Sequence, residues 1–209
     1  MSFKKMLEKL LLVQLVLGTA ILPNDNNGVA KYAKDVCPIK IGSEIPSAII
    51  KDIYNKEIDL KELTKNQKSI IIFYRGGWCP YCNLHLSELQ DVEANLLALG
   101  YNIIAISMDK AANLSVSKDK HKLNYKLYSD SKAYASKSFG IAFTVEPTEI
   151  NKLKSYNMDL EASSGETHHI LPVPSVFIID ENGIIKFEYV NPNYKERISG
   201  KLLLQAAKN

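Results

Sequence analysis

The chain has 209 residues, 26 basic and 23 acidic, for a net charge of +3 at pH 7, and 46% of it is hydrophobic. It is long and apolar enough for one sizeable core and carries no disordered bias, while its charges are spread without the basic block of a nucleic-acid footprint. Three cysteines are too few, and odd in number, for a disulfide scaffold.

In chain order, residues 1–9 carry Lys4, Lys5 and Lys9 against Glu8, and residues 10–22 are almost wholly apolar until Pro23 stops them. That run is shorter than the roughly 20 residues of a membrane span but has the length of a secretory apolar region, so no stable span is expected. Gly28-Val29-Ala30 and Gly18-Thr19-Ala20 both have the small-x-small form of a cleavage site. Residues 1–30 are therefore expected to be a signal peptide exporting a domain of residues 31–209 to the periplasm or another extracytoplasmic space. The alternative is an N-terminal hydrophobic helix docked on a cytoplasmic domain, which Glu8 and Gln14 leave open.

Cys37 reads as a small apolar contact or a semi-exposed thiol, with a resolving cysteine as the sharper alternative. Residues 48–53 and 57–60 suit a hairpin around Tyr54-Asn55-Lys56. Residues 69–74, Ser-Ile-Ile-Ile-Phe-Tyr, lack polar alternation and predict a central strand covered on both faces. Arg75-Gly76-Gly77 breaks it. After Trp78-Cys79-Pro80-Tyr81-Cys82, the residues Leu84, Leu86, Leu89, Val92, Leu96 and Leu99 recur at roughly helical spacing up to Gly100. Residues 101–107 form a second apolar strand, completing a βαβ unit and an at least partly parallel sheet. A polar helix or loop over 110–123, a strand over 125–128, a short helix over 131–139 and a helix over 146–158 follow, then a polar loop over 161–167. Residues 173–179 and 184–190 predict a hairpin turning at Asp180-Glu181-Asn182-Gly183, and residues 194–207 a closing helix.

The chemistry lies in the Cys-x-x-Cys pair. Pro80 suits the first helical turn, where its missing N–H costs nothing, so both sulfurs lie at the positive end of a helix. There a thiol can titrate from about 3.5 to 7.5 in place of about 8.5, and i, i+3 spacing brings the two sulfurs within reach of a disulfide. Buried structural thiols and half of a zinc site are the competing readings. No second Cys-x-x-Cys or His-x-x-x-His is present to complete four zinc ligands, so no metal and no other cofactor is expected.

Phe73-Tyr74-Arg75-Gly76-Gly77-Trp78-Cys79-Pro80-Tyr81-Cys82-Asn83-Leu84, with Leu171-Pro172-Val173-Pro174 and Ile178-Ile179-Asp180-Glu181-Asn182-Gly183, resembles the peroxiredoxin-like branch of the alkyl hydroperoxide reductase/thiol-specific antioxidant family. The resemblance covers about residues 41–204. It implies an α/β, thioredoxin-like fold with a central mixed β-sheet flanked by helices, Cys82 in the place of the peroxidatic cysteine, Cys79 where ordinary peroxiredoxins have Thr, and a cis Val173–Pro174 bond facing the cysteines. The chain departs from the family where an arginine that polarises peroxide would stand, since Pro174 and Ser175 occupy that place. Arg75 can supply positive charge from the strand end, although a solvated or ion-paired side chain is the favoured reading. His168 and His169 lie on the loop leading to Pro174, with loop bracing favoured over a role at the sulfurs.

Two mechanisms use these atoms. A Cys82 thiolate attacks a hydroperoxide and the sulfenic acid condenses with Cys79, a thioredoxin-type donor reducing the disulfide; or Cys79, expected to be the more exposed, attacks a protein disulfide and Cys82 resolves it. Trp78 and Tyr81 form an apolar collar in either case. A third reading is a Cu(I) carrier using Cys79, Cys82 and His168 or His169. Both redox readings require sulfurs that solvent can reach and that can join. The substrate, the donor and the oligomeric state are not legible.

Overall fold

The computed structural model describes residues 28–209, so the expected signal peptide or apolar helix falls, over residues 1–27, outside the described residues. The run Ser69–Tyr74 is a strand with all six residues buried, as its lack of alternation requires. It is β4 in a chain order of β1 (Val29–Ala30), β2 (Ile49–Lys51), β3 (Glu57–Asp59), α1 (Leu60–Leu63), β4, α2 (Pro80–Ala98), β5 (Asn102–Ser107), α3 (Ala111–His121), β6 (Lys126–Ser129), α4 (Tyr134–Ser138), β7 (Ala142–Thr144), α5 (Pro147–Ser155), α6 (Leu160–Ser164), β8 (Ile170–Pro172), β9 (Ser175–Ile179), β10 (Ile185–Val190) and α7 (Gly200–Ala206). Seven strands form one mixed sheet in the order β10-β9-β4-β5-β6-β2-β3, in which β4, β5 and β6 are parallel and the others antiparallel to their neighbours. A smaller sheet joins β1, β7 and β8.

The side chains of β4 alternate between two cores, as a period of two requires. Ile70, Ile72 and Tyr74 pack against Cys82, Leu86, Leu89 and Leu96 of α2 and against Ile198 and Leu203. Ile71 and Phe73 face the other way, onto Phe139 and Phe177, whose ring centroids are 5.0 Å apart. Each such buried side chain contributes about 1.5–3 kcal/mol, which fixes the sheet end where the cysteine pair begins.

Several expectations need correction. Leu84 and Leu99, counted on the core face of α2, are 60% and 36% exposed, while His85 and Glu93 take buried positions there. The helix expected over 194–207 begins only at Gly200, because Asn191 and Asn193 hold the preceding segment in turns, their side chains accepting from the N–H groups of Asn193 and Lys195 at 2.9 and 3.2 Å. Part of the expected polar loop is α6, capped by the Asp159 carboxylate accepting from Ala162 N–H at 3.0 Å. Strands β7 and β8, three residues each, carry too little pattern to predict. All peptide bonds among the described residues are trans, Val173–Pro174 included. Trans is the lower-energy isomer, and the flanking backbone suits it, with Val173 N–H donating to Ile141 O at 2.8 Å and Pro174 O accepting from Asn191 N–H at 3.4 Å. Val29–Ala30, at the suggested cleavage site, pairs in parallel with Ala142–Phe143, so the folded body already includes it.

Candidate active site

The chain leaves β4 at Arg75, turns through Gly76-Gly77-Trp78 and enters α2 with Cys79 as N-cap and Pro80 in the first helical position. Cys82 therefore ends the first turn. The N–H groups of Cys82 and Asn83 both donate to Cys79 O at 3.1 Å. The turn is bolted from beneath by Asp109, which follows β5 and accepts from Gly77 N–H at 2.6 Å, and by Asn83, whose side-chain amide donates to Gly77 O at 2.8 Å. Neither glycine leaves room for a side chain: a Cβ at Gly76 would run into Trp78 Nε1 and Asp109 Oδ1, and one at Gly77 into Ser117 Oγ.

Both cysteines are free thiols, and both are buried, Cys79 at 1% and Cys82 at 0% exposure. This corrects the expectation of an exposed Cys79. The cover comes from the segment of residues 191–199 and from the pair's own collar. Arg197 Nη2 approaches Cys82 Sγ at 3.6 Å, and its Nη1 donates to Glu196 O at 3.0 Å. Tyr194 lays its ring 4.3 Å from the Arg75 guanidinium and edge-on to Tyr81, centroids 5.7 Å apart. Arg75 is buried, not solvated, and sandwiched between Tyr194 and Trp78, the latter centroid at 5.0 Å, and among the described residues it has no carboxylate partner and its Nε no hydrogen bond.

The two thiols titrate in opposite directions. Burial alone would raise Cys82, but the hydrogen bond from Cys79, the Arg197 cation, the Arg75 backbone N–H and the Arg75 cation outweigh it and bring Cys82 below the ordinary thiol range. Cys79 is pushed up, first because it donates to Cys82 and then by burial and the neighbouring thiolate charge. The pair's shared proton is thus held more tightly by Cys79 than by Cys82. Asp109 is raised to about 6 by burial, against the hydrogen bonds from Gly77 and Ser107, with the Cys82 charge adding to the rise.

Of the residues read from the sequence, Cys79, Cys82, Arg75, Trp78, Pro80 and Tyr81 come together at this junction. Pro174 is buried one step beyond the Phe73–Ser175 pair, at the same sheet end. The histidines brace their loop as favoured: His168 Nε2 donates to Ser131 O at 2.7 Å and its Nδ1 accepts from Ile170 N–H at 2.9 Å, while His169 Nε2 meets Glu161 Oε1 at 2.7 Å. Among the described residues no three His, Cys, Asp or Glu side chains gather to hold a metal ion, so the Cu(I) reading lacks its third ligand. Cys37 is exposed, in the stretch where Ile39 N–H bonds to Phe139 O, and Phe139 belongs to the core on the sheet face opposite Cys82. That placement counts against a resolving role. Sequence reasoning missed Arg197, Asp109 and His85, the first two because only the fold brings them here and the third because a lone histidine inside a leucine pattern carries no signal of its own.

The model of the AhpC/TSA family matches residues 41–188. The chain is 23% identical over 164 residues to the thiol-disulfide oxidoreductase ResA of Bacillus thuringiensis (strain Al Hakam), covering 78% of each, and 28% identical over 104 residues to the peroxiredoxin Bcp of Escherichia coli (strain K12), covering 50% of this chain and 66% of that one. Its fold is similar to that of reduced Prx3 from Vibrio vulnificus in complex with hydrogen peroxide, with a TM-score of 0.67 at 17% identity over 81% of this chain and 99% of the other.

Proposed function

Since the chain belongs to the AhpC/TSA family, we propose that it reduces hydroperoxides with Cys82 as the attacking thiolate and Cys79 as the thiol that resolves the product. It is a thiol-dependent oxidoreductase, in keeping with relatives named as a peroxiredoxin and a thiol-disulfide oxidoreductase. The observation that carries the assignment is the asymmetry of the pair: Cys82, in the first turn of α2, has the Arg197 guanidinium 3.6 Å from its sulfur.

The Cys82 thiolate attacks the distal peroxide oxygen, an S–O bond forms as the O–O bond breaks, and the leaving alkoxide or hydroxide takes a proton from solvent to depart as alcohol or water. Cys82 is then a sulfenic acid. Cys79 sulfur attacks the Cys82 sulfur, the S–O bond breaks, and water leaves with the Cys79 proton, giving a disulfide. An external dithiol of thioredoxin type supplies two electrons and two protons to restore the thiols, by exchange through a mixed disulfide. Arg197, 3.6 Å from Cys82 Sγ, supplies beside the reacting sulfur the positive charge for which Pro174 and Ser175 hold no side chain.

Protein disulfide reduction led by Cys79 is the second reading, and the named ResA relative favours it. What weighs against Cys79 as first nucleophile is that its thiol is pushed up while that of Cys82 is lowered, and that the Arg197 guanidinium stands at the Cys82 sulfur. The sulfurs stand at 0–1% exposure, short of the solvent access both redox readings require, so either substrate needs the cover of residues 191–199 to open, a protein disulfide more widely than hydrogen peroxide. Export is proposed on the sequence pattern alone, the apolar run of residues 10–22 with Gly18-Thr19-Ala20 as the cleavage site that leaves the paired strand Val29–Ala30 in the body. No helix among the described residues is long and apolar enough to cross a membrane.

Single Cys79→Ser and Cys82→Ser variants of the full chain, given hydrogen peroxide and a dithiol donor, separate the two readings. Loss of the first peroxide turnover in Cys82→Ser, with Cys79→Ser retaining it, is expected. Stable mixed disulfides with protein substrates formed by a lone Cys79, without peroxide turnover by Cys82, would establish the second reading instead.

A further inference from the structure

Arg197 reaches Cys82 from a segment outside any helix or strand, whose own turn bonds, the last from Glu196 N–H to Asn193 O at 2.9 Å, stop short of it. The segment's first end is tied by Asn191 N–H to Pro174 O at 3.4 Å, and its last residue, Ser199, caps α7 by accepting from Leu202 N–H at 3.3 Å. Between these ends, His85 Nε2 lies 3.1 Å from Ile198 O, at a buried position. His85 stands three residues after Cys82 on α2, one turn along the same face. The same face of α2 thus touches the strap twice, Cys82 at the Arg197 side chain and His85 at the next peptide.

The tautomer follows from the partner. A carbonyl oxygen only accepts, so Nε2 must carry the proton. Burial, reinforced by the Arg197 cation, lowers His85 to about 4, so at neutral pH the ring is the uncharged Nε2–H form. A neutral donor is what this place requires, since a charged imidazolium here would repel the guanidinium that the strap delivers. The side chain of Ile198 is itself buried in the core shared by Cys82 and Leu86, so the bond fixes a peptide already seated.

We propose that His85 is a positioning residue that sets the Cys82 thiolate through Ile198, by holding the strap of residues 191–199 so that Arg197 meets the sulfur. This rests on the reading of Cys82 as the nucleophile. Three variants of the full chain distinguish the two claims: His85→Leu, which keeps volume and loses the donor; His85→Gln, whose amide nitrogen reproduces the Nε2 position; and Arg197→Gln. The readout is the proton affinity of Cys82, followed by ultraviolet thiolate absorbance with Cys82→Ser as the blank. The other groups facing the sulfur, Cys79, Arg75 and the buried Tyr74, with Asp109 beneath the turn, are left in place.

Arg197→Gln is expected to raise the Cys82 proton affinity roughly tenfold, His85→Leu to raise it comparably, His85→Gln to restore it, and the Leu/Gln double variant to add nothing beyond either alone. A merely structural histidine would lower the melting temperature in His85→Leu without moving the thiolate titration, and that result overturns the proposal. So does an additive double variant, which would mean His85 acts independently of Arg197. If Cys82 titrates like a free thiol in the unaltered chain, the nucleophile reading fails instead. Should His85→Leu not fold, His85→Asn, polar but too short to reach Ile198, is read in its place with the same expectations.

Discussion

Asp109→Asn is a substitution whose effect on stability can be worked from the structure with its sign. The Asp109 carboxyl is buried beneath the Gly76-Gly77 turn, accepts from Gly77 N–H at 2.6 Å and from Ser107 Oγ at 3.3 Å, and is raised from 3.8 to about 6, chiefly by burial. An acid raised in the folded state holds its proton more tightly there than in the unfolded chain. Its contribution is therefore fully present below about pH 4 and is lost as pH climbs through about 6. At 1.36 kcal/mol for each tenfold change in proton affinity, the rise amounts to about 3 kcal/mol of stability forgone by pH 7. Both bonds end on Oδ2, so asparagine with its oxygen at that position accepts from Gly77 N–H and Ser107 Oγ alike, but carries no charge. Urea unfolding across pH 4 to 8 is the assay. Asp109→Asn is expected to be about 1–3 kcal/mol more stable than the parent at pH 7.5 and to lose that advantage toward pH 4, where the parent's acid is protonated. Asp130, likewise buried and raised to about 6, is unaltered and leaves its own slope in both proteins. An Asp109→Asn variant less stable than the parent at pH 7.5 would refute the reasoning, because the charge would then be a net stabiliser of the turn.

Two further outcomes follow from the same turn and pair. Gly77→Ala, whose new methyl collides with Ser117 Oγ, is expected to cost about 1–3 kcal/mol in thermal or urea unfolding and to slow peroxide turnover by displacing Trp78 and Cys79; Gly77→Ala combined with Ser117→Gly should recover most of both. The rate of the first peroxide turnover is expected to rise with pH as Cys82 ionises and to level off below the ordinary thiol range, because its proton affinity is lowered; a profile still climbing at pH 8.5 would contradict the lowered value.

How much of this the sequence discloses depends on how local the determinant is. The run from Ser69 to Tyr74, the helix that starts at Pro80 and the hairpin through Gly183 all follow from short-range periodicity and turn residues, so they stand where the pattern puts them. The Cys79–Cys82 spacing is equally local. Short strands such as Ala142–Thr144 gain their structure from pairing with distant segments and leave no such trace. Tyr194 and Ile198 have helical spacing, yet the Asn191 and Asn193 turns keep that segment out of a helix, and from there Arg197 reaches a sulfur 115 residues away in sequence. Arg75 shows the limit most plainly: an arginine after a strand reads as solvated, and what buries it is Tyr194, brought across by a connection that no local rule predicts.

The most direct measurement is mass analysis with peptide mapping of the full chain after one equivalent of hydrogen peroxide. The account expects a single intramolecular disulfide between Cys79 and Cys82 with Cys37 still a free thiol, and in Cys79→Ser an oxidised Cys82 with no such bond. Peroxide left unconsumed over reduced Cys79 and Cys82, or a disulfide that recruits Cys37, would contradict it.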